Sequence, residues 1–322
     1  MLDAVDAVLV RELQRDGRAT FQALADRVGL SRTAVRARVQ NLLEREVVRV
    51  VGVVHSAVVG TGAIGHVAVT VDGAARQIAE RVAGRSAVRF ASLTAGPYAL
   101  VTEVRARDDA ALSAEIDEIR RIPGVRAAEV FRAVSVVKDA YSVVDDLTDL
   151  TLDEIDWWLL RELQRDGRAP YTRLARTIGL SQAATRARVV RLLRSGVIRV
   201  TGIADPTAFG SAELAGFGLV VSGAVGTAAG EVAERQGVHY LVTGFGRYDI
   251  LGHVEAGSRA ALVGVLDSIR AVPGVTLQET WHHLDIVKES YAAELPGDPG
   301  APPPPGPPGG IGPGGPFGPA GG

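Results

Sequence analysis

The stretch RELQRDGRA occurs twice in this chain, at residues 11–19 and again at residues 161–169, an offset of 150. The same offset, with no net insertion, pairs VGLSRTAVRARV (28–39) with IGLSQAATRARV (178–189), VVRVVGV (47–53) with VIRVTGI (197–203), GPYALV (96–101) with GRYDIL (246–251), IRRIPGV (119–125) with IRAVPGV (269–275), and VVKDAYS (136–142) with IVKESYA (286–292). The chain is therefore a tandem duplication, whose halves we call unit 1 and unit 2. A unit of about 150 residues can fold by itself, so the repeat is not a solenoid.

Composition excludes several classes of protein. Hydrophobic residues make up 47% of the 322 residues and charged residues 22%, which is ordinary for a soluble globular chain of two or three domains. The absence of cysteine excludes a disulfide scaffold, a cysteine-ligated zinc or iron–sulfur site and a thiol nucleophile. No apolar run reaches the roughly 20 residues of a membrane span, and the acidic start does not resemble a secretory signal. We therefore expect a cytoplasmic protein without a membrane partner.

Charge is distributed unevenly within each unit. Residues 1–50 and 151–200 carry net charges of +2 and +5, whereas residues 51–150 and 201–322 carry −2 and −7. A basic first part followed by an acidic second part is typical of a nucleic-acid-binding head on a neutral or acidic body.

The sequence of the first part of each unit predicts three short helices. In unit 1, Asp3 begins a first helix that ends at Gly17, a second spans roughly 20–28, Gly29 makes a tight turn, and Ser31 caps a third helix over about 32–45. Unit 2 repeats this pattern from Asp153 and Gly167. A glycine turn before a serine-capped, arginine-rich third helix is the helix-turn-helix pattern. Residues 47–54 and 197–203 predict short strands that close each of these domains.

The third helix carries the candidate DNA-contacting residues. The predicted DNA-contacting set is Ser31, Arg32, Thr33, Arg36, Arg38 and Gln40 in unit 1, and Ser181, Gln182, Ala183, Arg186 and Arg188 in unit 2. Within this set, Arg32, Thr33, Arg36 and Gln40 lie on a polar stripe of the helix. Arginine can bind guanine through two hydrogen bonds and glutamine can bind adenine, so the unlike stripes predict two different half-sites. Arg38 and Arg188 lie near the core edge, where a phosphate contact or helix packing is favoured over base recognition.

The second part of each unit has the order β-α-β-β-α-β, which predicts a ferredoxin-like domain. In unit 1 the predicted elements are 65–72, 74–84, 87–93, 98–104, 108–121 and 125–138; in unit 2 they are 213–222, 224–236, 238–243, 248–255, 258–271 and 275–288. The helices cover one face of such a sheet and leave the other face apolar. We expect the two sheets of one chain to cover each other.

The predicted fold class is α+β, with two tandem units that each combine a winged helix-turn-helix domain and a ferredoxin-like domain. The predicted domain limits are 1–54 and 151–204 for the helix-turn-helix domains, 61–145 and 211–294 for the ferredoxin-like domains, and 295–322 for a tail. From Pro296 to Gly322, 22 of 27 residues are proline or glycine. Such a segment buries too little apolar surface to offset its ordering entropy, so we expect it to be disordered.

The motifs together resemble the Lrp/AsnC, or feast/famine, family of bacterial and archaeal transcription regulators. The resemblance is carried by LDEIDWWLLRELQRDGRA (152–169), IGLSQAATRARVVRLLRSGVIRVTGIADPTAFG (178–210) and GFGRYDILGHVE (244–255), and it covers residues 2–145 and 152–294. Members usually have one unit per chain, pair through their ferredoxin-like (RAM/AsnC-type) sheets and assemble into octamers. The resemblance therefore implies a fused dimer with double-stranded DNA and further copies as partners. It implies no cofactor, no metal and no catalysis.

The resemblance also implies a small effector, such as an amino acid, bound between neighbouring dimers near a Gly-x-Tyr-Asp turn. In unit 2 the corresponding residues are Thr243, Gly244, Gly246, Arg247, Tyr248 and Asp249. Turn N–H groups can bind a carboxylate and Asp249 can bind an ammonium group, although a plain hairpin turn would use the same residues. Unit 1 has Ala99 in place of the aspartate. Its effector site is therefore expected to be inactive or altered.

Two other functions fit parts of the sequence. Siroheme decarboxylases share the architecture and can occur as fused chains; basic side chains would hold the tetrapyrrole carboxylates and histidine would transfer protons. The six histidines are His55, His66, His239, His253, His282 and His283. His282 and His283 should point to opposite faces of one strand and cannot share a site. The second alternative is an assembly protein whose basic heads bind all DNA weakly.

Overall fold

A computed structural model describes residues 2–55, 58, 62–140, 151–204, 213–293 and 295. Each unit consists of a head, with three helices and a strand, followed by a body. Head 1 comprises α1 (Ala4–Arg15), α2 (Phe21–Val28), α3 (Arg32–Glu44) and β1 (Val48–Val54). Body 1 comprises β2 (Ala63–Val71), α4 (Ala75–Ala83), β3 (Val88–Ala95), β4 (Leu100–Ala106), α5 (Asp109–Arg120) and β5 (Val125–Asp139).

Unit 2 repeats this order without an added or missing element in its described residues. Head 2 comprises α6 (Glu154–Arg165), α7 (Tyr171–Ile178), α8 (Gln182–Arg194) and β6 (Ile198–Ala204). Body 2 comprises β7 (Glu213–Val221), α9 (Val225–Ala233), β8 (Val238–Phe245), β9 (Ile250–Ala256), α10 (Arg259–Arg270) and β10 (Val275–Glu289). The predicted fold class is confirmed.

Local sequence signals explain the helices of the heads. The side chain of Asp3 accepts a hydrogen bond from the backbone N–H of Asp6 at 2.8 Å, which caps α1. Gly29 ends α2 in the left-handed conformation, at φ 67°, which a residue with a side chain adopts only with strain. The core of head 1 is formed by fully buried apolar side chains, among them Leu9, Leu13, Leu24, Val35 and Val39. Each stabilises the fold by roughly 1.5–3 kcal/mol.

The predicted role of Gly17 as a helix terminator is wrong. Helix α1 ends at Arg15, and Asp16 follows as an extended cap residue. Gly17 lies where a Cβ atom would approach the side chains of Val50 and Val200 to 2.8 and 2.9 Å. The glycine is therefore required by close packing and not by the turn, and the same applies to Gly167.

The strands that follow the third helices pair across the two heads. Strand β1 pairs antiparallel with β6, with Val51 opposite Thr201, to form a two-stranded ribbon. Helix α1 packs against β6 and helix α6 packs against β1. The prediction that these strands close their own domain is thus corrected, because a lone strand must find its hydrogen-bond partners in another element.

The two bodies close into one eight-stranded barrel, with the strand order β10-β3-β4-β2-β5-β8-β9-β7. Strand β5 pairs with β2 along its first part and with β8 along its last part, and β10 joins β7 to β3 in the same way. The helices pack on the outside against two apolar cores, one for each body. Ile64, Phe131, Val242, Leu251 and Trp281 fill part of the interior. The expectation that the two sheets cover each other is confirmed.

In the part of the chain that the structure describes, no helix is both long enough and apolar enough to cross a membrane. The predicted disordered tail falls almost entirely outside the described residues.

Candidate functional site

The N-terminal half of α3 presents a polar surface to solvent. The Ser31 hydroxyl accepts a hydrogen bond from the Ala34 N–H at 3.2 Å, which holds the helix start. Val35, Val39 and Leu42 are buried on the opposite face of the helix. The predicted stripe residues Arg32, Thr33, Arg36 and Gln40 are all exposed. This arrangement leaves one helix face free to enter a DNA groove.

Helix α8 has the same geometry with different side chains. Ser181 caps it through the Ala184 N–H at 3.1 Å, and Gln182, Ala183 and Arg186 are exposed. The two stripes share one arginine, Arg36 and Arg186, at equivalent positions.

Arg38 and Arg188 form ion pairs within their own heads. The Arg38 Nη1 lies 2.7 Å from the Asp3 carboxylate and 2.8 Å from the Asp6 carboxylate, at the N-terminus of α1. The backbone N–H of Asp6 and the Arg38 guanidinium lower the pKa of Asp3. Arg188 contacts Asp153 and Asp156 in the same way, at 2.7 and 3.1 Å. Both arginines therefore join the third helix to the start of the first helix in their own head, and a phosphate contact stays a prediction.

A reciprocal exchange between the heads was not foreseen from the sequence. The Arg18 guanidinium donates to the Gly167 and Ala169 carbonyls at 2.6 and 3.2 Å and lies 4.7 Å from the Tyr171 ring centroid. Arg168 donates in return to the Gly17 and Ala19 carbonyls at 2.7 and 3.1 Å, and it lies over the Phe21 ring. These residues belong to the repeated stretch RELQRDGRA. The exact repeat therefore marks the contact that sets the orientation of one head relative to the other.

The residues of the predicted effector turn serve different roles in the fold. The Asp249 carboxylate accepts a hydrogen bond from the Val221 N–H at 2.8 Å. Arg247 forms ion pairs with Glu129 at 3.2 Å and with Glu279 at 3.3 Å. Tyr248 is buried, and its hydroxyl donates to Glu279.

The remaining turn residues lie along the seam between the bodies. Thr243 and Gly244 pair with Ser135 and Ala133 of strand β5, and a Cβ atom at Gly244 would meet the Arg132 carbonyl oxygen. Gly246 is in the left-handed region, at φ 144°. The six residues thus lie on one hairpin between β8 and β9, where Asp249 and Arg247 contact different partners and the Asp249 carboxylate is already in a hydrogen bond.

Four histidines that are distant in sequence converge inside the barrel. His66, His239, His253 and His283 line one chamber of about 130 Å³, whereas the His282 Nε2 atom lies 2.9 Å from a carboxylate oxygen of Glu213. His253 Nδ1 lies 3.1 Å from His283 Nε2, and His66 Nε2 lies 3.1 Å from the Tyr240 hydroxyl. As predicted, His282 and His283 lie on opposite sides of their strand.

Burial keeps these imidazoles neutral. It lowers the pKa of His239 to about 4 and of His283 to about 3, and it lowers the pKa values of His66 and His253 as well. Within the described ranges, no group of three or more metal-ligating side chains has an arrangement that could hold a metal ion.

The chamber lies between the end of the barrel and the β1–β6 ribbon. Its charged lining residues are Arg89, Glu103, Arg105, Asp139, Glu255 and Glu289, which are four carboxylates and two guanidinium groups. Glu103 is already bound, since Arg105 donates to it at 2.6 Å and the Tyr240 hydroxyl donates at 3.0 Å. The sequence offered no motif spacing for this cluster, because its residues come from five separate strands.

Comparisons with known families support the reading of both parts of the unit. Residues 2–43 and 152–193 match the AsnC-type helix-turn-helix domain, and residues 65–143 match the Lrp/AsnC ligand binding domain. Together these matches cover half of the chain.

Curated relatives match one unit of the chain. The HTH-type transcriptional regulator FL11 of Pyrococcus abyssi is 32% identical over 149 residues, which is 46% of this chain and 97% of that protein. FL11 of Pyrococcus horikoshii is 33% identical over 147 residues, 45% of this chain and 96% of that protein. The HTH-type transcriptional regulator LrpA of Mycobacterium tuberculosis is 49% identical over 65 residues, 20% of this chain and 41% of that protein.

A solved structure matches both units together. The siroheme decarboxylase NirDL superposes with a TM-score of 0.57, covering 89% of this chain and 93% of that chain at 14% identity. At this identity the match shows a shared fold only.

Proposed function

Because this chain belongs to the Lrp/AsnC family, we propose that it is a sequence-specific DNA-binding transcriptional regulator that carries both heads of a dimer in one chain. The observation that carries the proposal is the pair of serine-capped helices, α3 and α8, whose exposed stripes share Arg36 and Arg186. Arginine on the N-terminal half of a recognition helix can bind guanine in the major groove. The predicted DNA-contacting residues and domain limits remain part of this proposal.

The operator should contain two unlike half-sites. The stripes differ at Arg32 and Gln182, at Thr33 and Ala183, and at Gln40 and Val190. Because the ribbon and the Arg18–Arg168 exchange fix the two heads to each other, the half-sites should be separated by one helical turn or a multiple of it. We expect the protein to act in the cytoplasm, where chromosomal DNA is accessible to it.

Selection of binding sites from random duplex DNA with the full-length protein tests the proposal. We expect one enriched asymmetric site, and we expect the double variant Arg36→Ala/Arg186→Ala to enrich none. Binding without enrichment that disappears at moderate salt would instead support the non-specific assembly alternative.

We propose further that an amino-acid-like effector modulates DNA binding through the turn formed by residues 243–249. Asp249→Asn tests this assignment, because the amide oxygen can still accept from the Val221 N–H while the charge is lost. With the twenty L-amino acids as probes, we expect the shift in operator affinity to disappear in the variant and basal affinity to stay within twofold. A shift that survives the substitution would contradict the assignment.

Self-association is the third part of the proposal. The barrel already pairs the two sheets that separate chains of the family pair on dimerisation. Val134, Phe245 and Leu284 remain exposed on the outside of the bodies, with 62–69% of their surfaces accessible. These side chains support assembly of further copies through the bodies, which sedimentation at several protein concentrations would measure.

The enzyme alternative is not favoured by the charges of the chamber. A tetrapyrrole substrate rich in carboxylates needs basic partners, whereas four carboxylates and two guanidinium groups line this chamber. Absorbance of the purified protein titrated with siroheme tests the alternative directly. Tight, saturable binding of siroheme would support the enzyme alternative.

A further inference from the structure

The chamber is lined asymmetrically, although it lies between two copies of one domain. The offset of 150 makes Arg105 equivalent to Glu255, Glu103 equivalent to His253, and Arg89 equivalent to His239. Unit 1 therefore contributes an ion-paired wall, and unit 2 contributes a wall of imidazoles and carboxylates. Two identical chains would have given a two-fold symmetric lining.

The chamber is rich in hydrogen-bond acceptors. Each neutral imidazole has one nitrogen lone pair and one N–H, whereas ionised carboxylates only accept hydrogen bonds, so acceptors outnumber donors. The Nδ1 atoms of His239 and His283 are buried without a hydrogen-bond partner within the described residues. Such a lining favours a ligand that donates more hydrogen bonds than it accepts.

The charges of the chamber call for a cation. The side chains that line the chamber include four carboxylates and two guanidinium groups, a formal excess of two negative charges, and the Glu289 carboxylate accepts a hydrogen bond from the Tyr291 hydroxyl. Burial raises the pKa of Glu289, and the neighbouring Glu255 and Asp139 raise it further, against the lowering effects of Tyr291 and Arg49. Burial also raises the pKa of Glu255, although the residue as a whole is exposed to solvent. A positive ligand would relieve this repulsion.

Size and aromatic content narrow the class of ligand. A single water needs about 10–15 Å³ by the same measure, so 130 Å³ holds on the order of ten water-sized groups. The rings of Phe90 and Tyr240 lie 5.6 Å from the His253 ring, centroid to centroid, and line the same cavity. Aromatic faces attract organic cations and pack against apolar bodies.

We propose that this chamber binds a small organic ammonium ion, whose charge lies against Glu255 and Glu289 and whose body packs on Phe90 and Tyr240. An ammonium group has three N–H donors and no acceptor, which matches the acceptors of the unit 2 wall. This site is separate from the effector turn, whose Asp249 does not line the chamber.

The position of the chamber connects it to the heads. Val53, Val54 and Ala204 of the ribbon line it, and so does the segment Ser290–Ala293. Ala293 exchanges two hydrogen bonds with the Gln164 side chain of α6, at 2.6 and 3.2 Å. Occupancy would therefore bias the relative position of the heads, a consequence that rests on the proposed function in DNA binding.

Calorimetric titration of the full-length protein at pH 7.5, without DNA, tests the binding. The probes are phenethylamine, isoamylamine and 1,4-diaminobutane, with 2-phenylethanol, 3-phenylpropionate and L-phenylalanine as neutral, anionic and zwitterionic comparators. We expect at least one amine to bind, and phenethylamine to bind at least tenfold tighter than 2-phenylethanol. Failure of all three amines at millimolar concentration would overturn the proposal, as would preferred binding of L-phenylalanine or 3-phenylpropionate.

Variants separate the chamber from the rest of the protein. Glu255→Gln should weaken amine binding at least tenfold, and Glu255→Gln/Glu289→Gln should abolish it. The control Glu234→Gln, at the exposed C-cap of α9, should leave amine binding unchanged. Unchanged binding in Glu255→Gln, with a native melting profile, would overturn the assignment. Because no DNA is present, a failure here is independent of the outcome of the site selection.

Discussion

The two heads are near copies of each other, whereas the two walls of the chamber are not. Each head keeps the aspartate cap of its first helix, the serine cap of its third helix, its buried core and its cross-head arginine at equivalent positions, the arginines being Arg18 and Arg168. In the chamber, by contrast, Arg105 of unit 1 is equivalent to Glu255 of unit 2, which carries the opposite charge. Packing against a partner constrains both copies of the head in the same way. A chamber between two fused copies is free of that symmetry, so its walls can diverge.

The largest expected effect is a loss of stability in acid, caused mainly by the imidazoles of the unit 2 wall. Three of the four chamber histidines belong to unit 2, and their depressed pKa values favour the neutral, folded form. Stability is thus fully present above the unfolded value of about 6.5 and is lost as pH falls towards 4. Because burial lowers the pKa of His239 from 6.5 to about 4, protonation of this residue in the unfolded chain should reduce the free energy of unfolding by about 3 kcal/mol once the pH is below 4.

Thermal melts between pH 7.5 and 4.5 measure this loss of stability. The variant His239→Gln/His253→Gln should move the acid midpoint of unfolding to lower pH. An unchanged midpoint would show that carboxylates, and not imidazoles, control unfolding in acid.

The next largest effect on stability should come from substitutions at the seam where β5 of body 1 pairs with β8 of body 2. Gly244 and Thr94 are equivalent, but a Cβ atom at Gly244 would lie 2.1 Å from the Arg132 carbonyl oxygen. Gly244→Thr should destabilise the protein by about 3 kcal/mol, because the backbone of β5 at Arg132 cannot move away from the new side chain without breaking the pairing of β5 with β8. The reverse change, Thr94→Gly, loses one hydrogen bond to the Tyr98 carbonyl and should cost about 1 kcal/mol. Equal losses in urea denaturation would refute the distinction.

The heads should be separable in DNA binding. Arg36→Ala and Arg186→Ala should each weaken operator binding by about 1–3 kcal/mol and relax specificity in one half-site only. Fluorescence anisotropy with operators mutated in either half-site measures this. Arg107→Ala, an exposed arginine of body 1, is the matched control. Uniform loss across all sequences would indicate phosphate contacts instead of base recognition.

The smallest effect concerns a difference between the heads themselves. Asp156 pairs with both Arg188 and Arg191, whereas Asp6 has Asn41 at the position equivalent to Arg191. Asn41→Arg should stabilise head 1 by roughly 0.2–1 kcal/mol, and less at high salt. Arg191→Asn is the reciprocal variant and should destabilise head 2. A salt-independent change in melting temperature would point to packing rather than charge.

The sequence by itself determined the duplication, the order of the elements and the helices of the heads. These features depend on local signals, namely an offset between repeats, serine and aspartate caps, and apolar periodicity. It also pointed to α3 and α8, because a stripe on one helix can be read from spacing alone. The sequence predicts the wrong role for Gly17, because both a turn that ends a helix and a close packing contact favour glycine.

Only the tertiary structure decided which strands pair and which side chains meet. Strand β1 pairs with β6 about 150 residues away, and closure of the barrel brings together His66, His239, His253 and His283. No residue spacing in the sequence predicts such a cluster, because each histidine lies on a different strand. The register of the sheet determines which side chains become its neighbours. Register depends on pairing across the whole barrel, and that is a property of the folded chain.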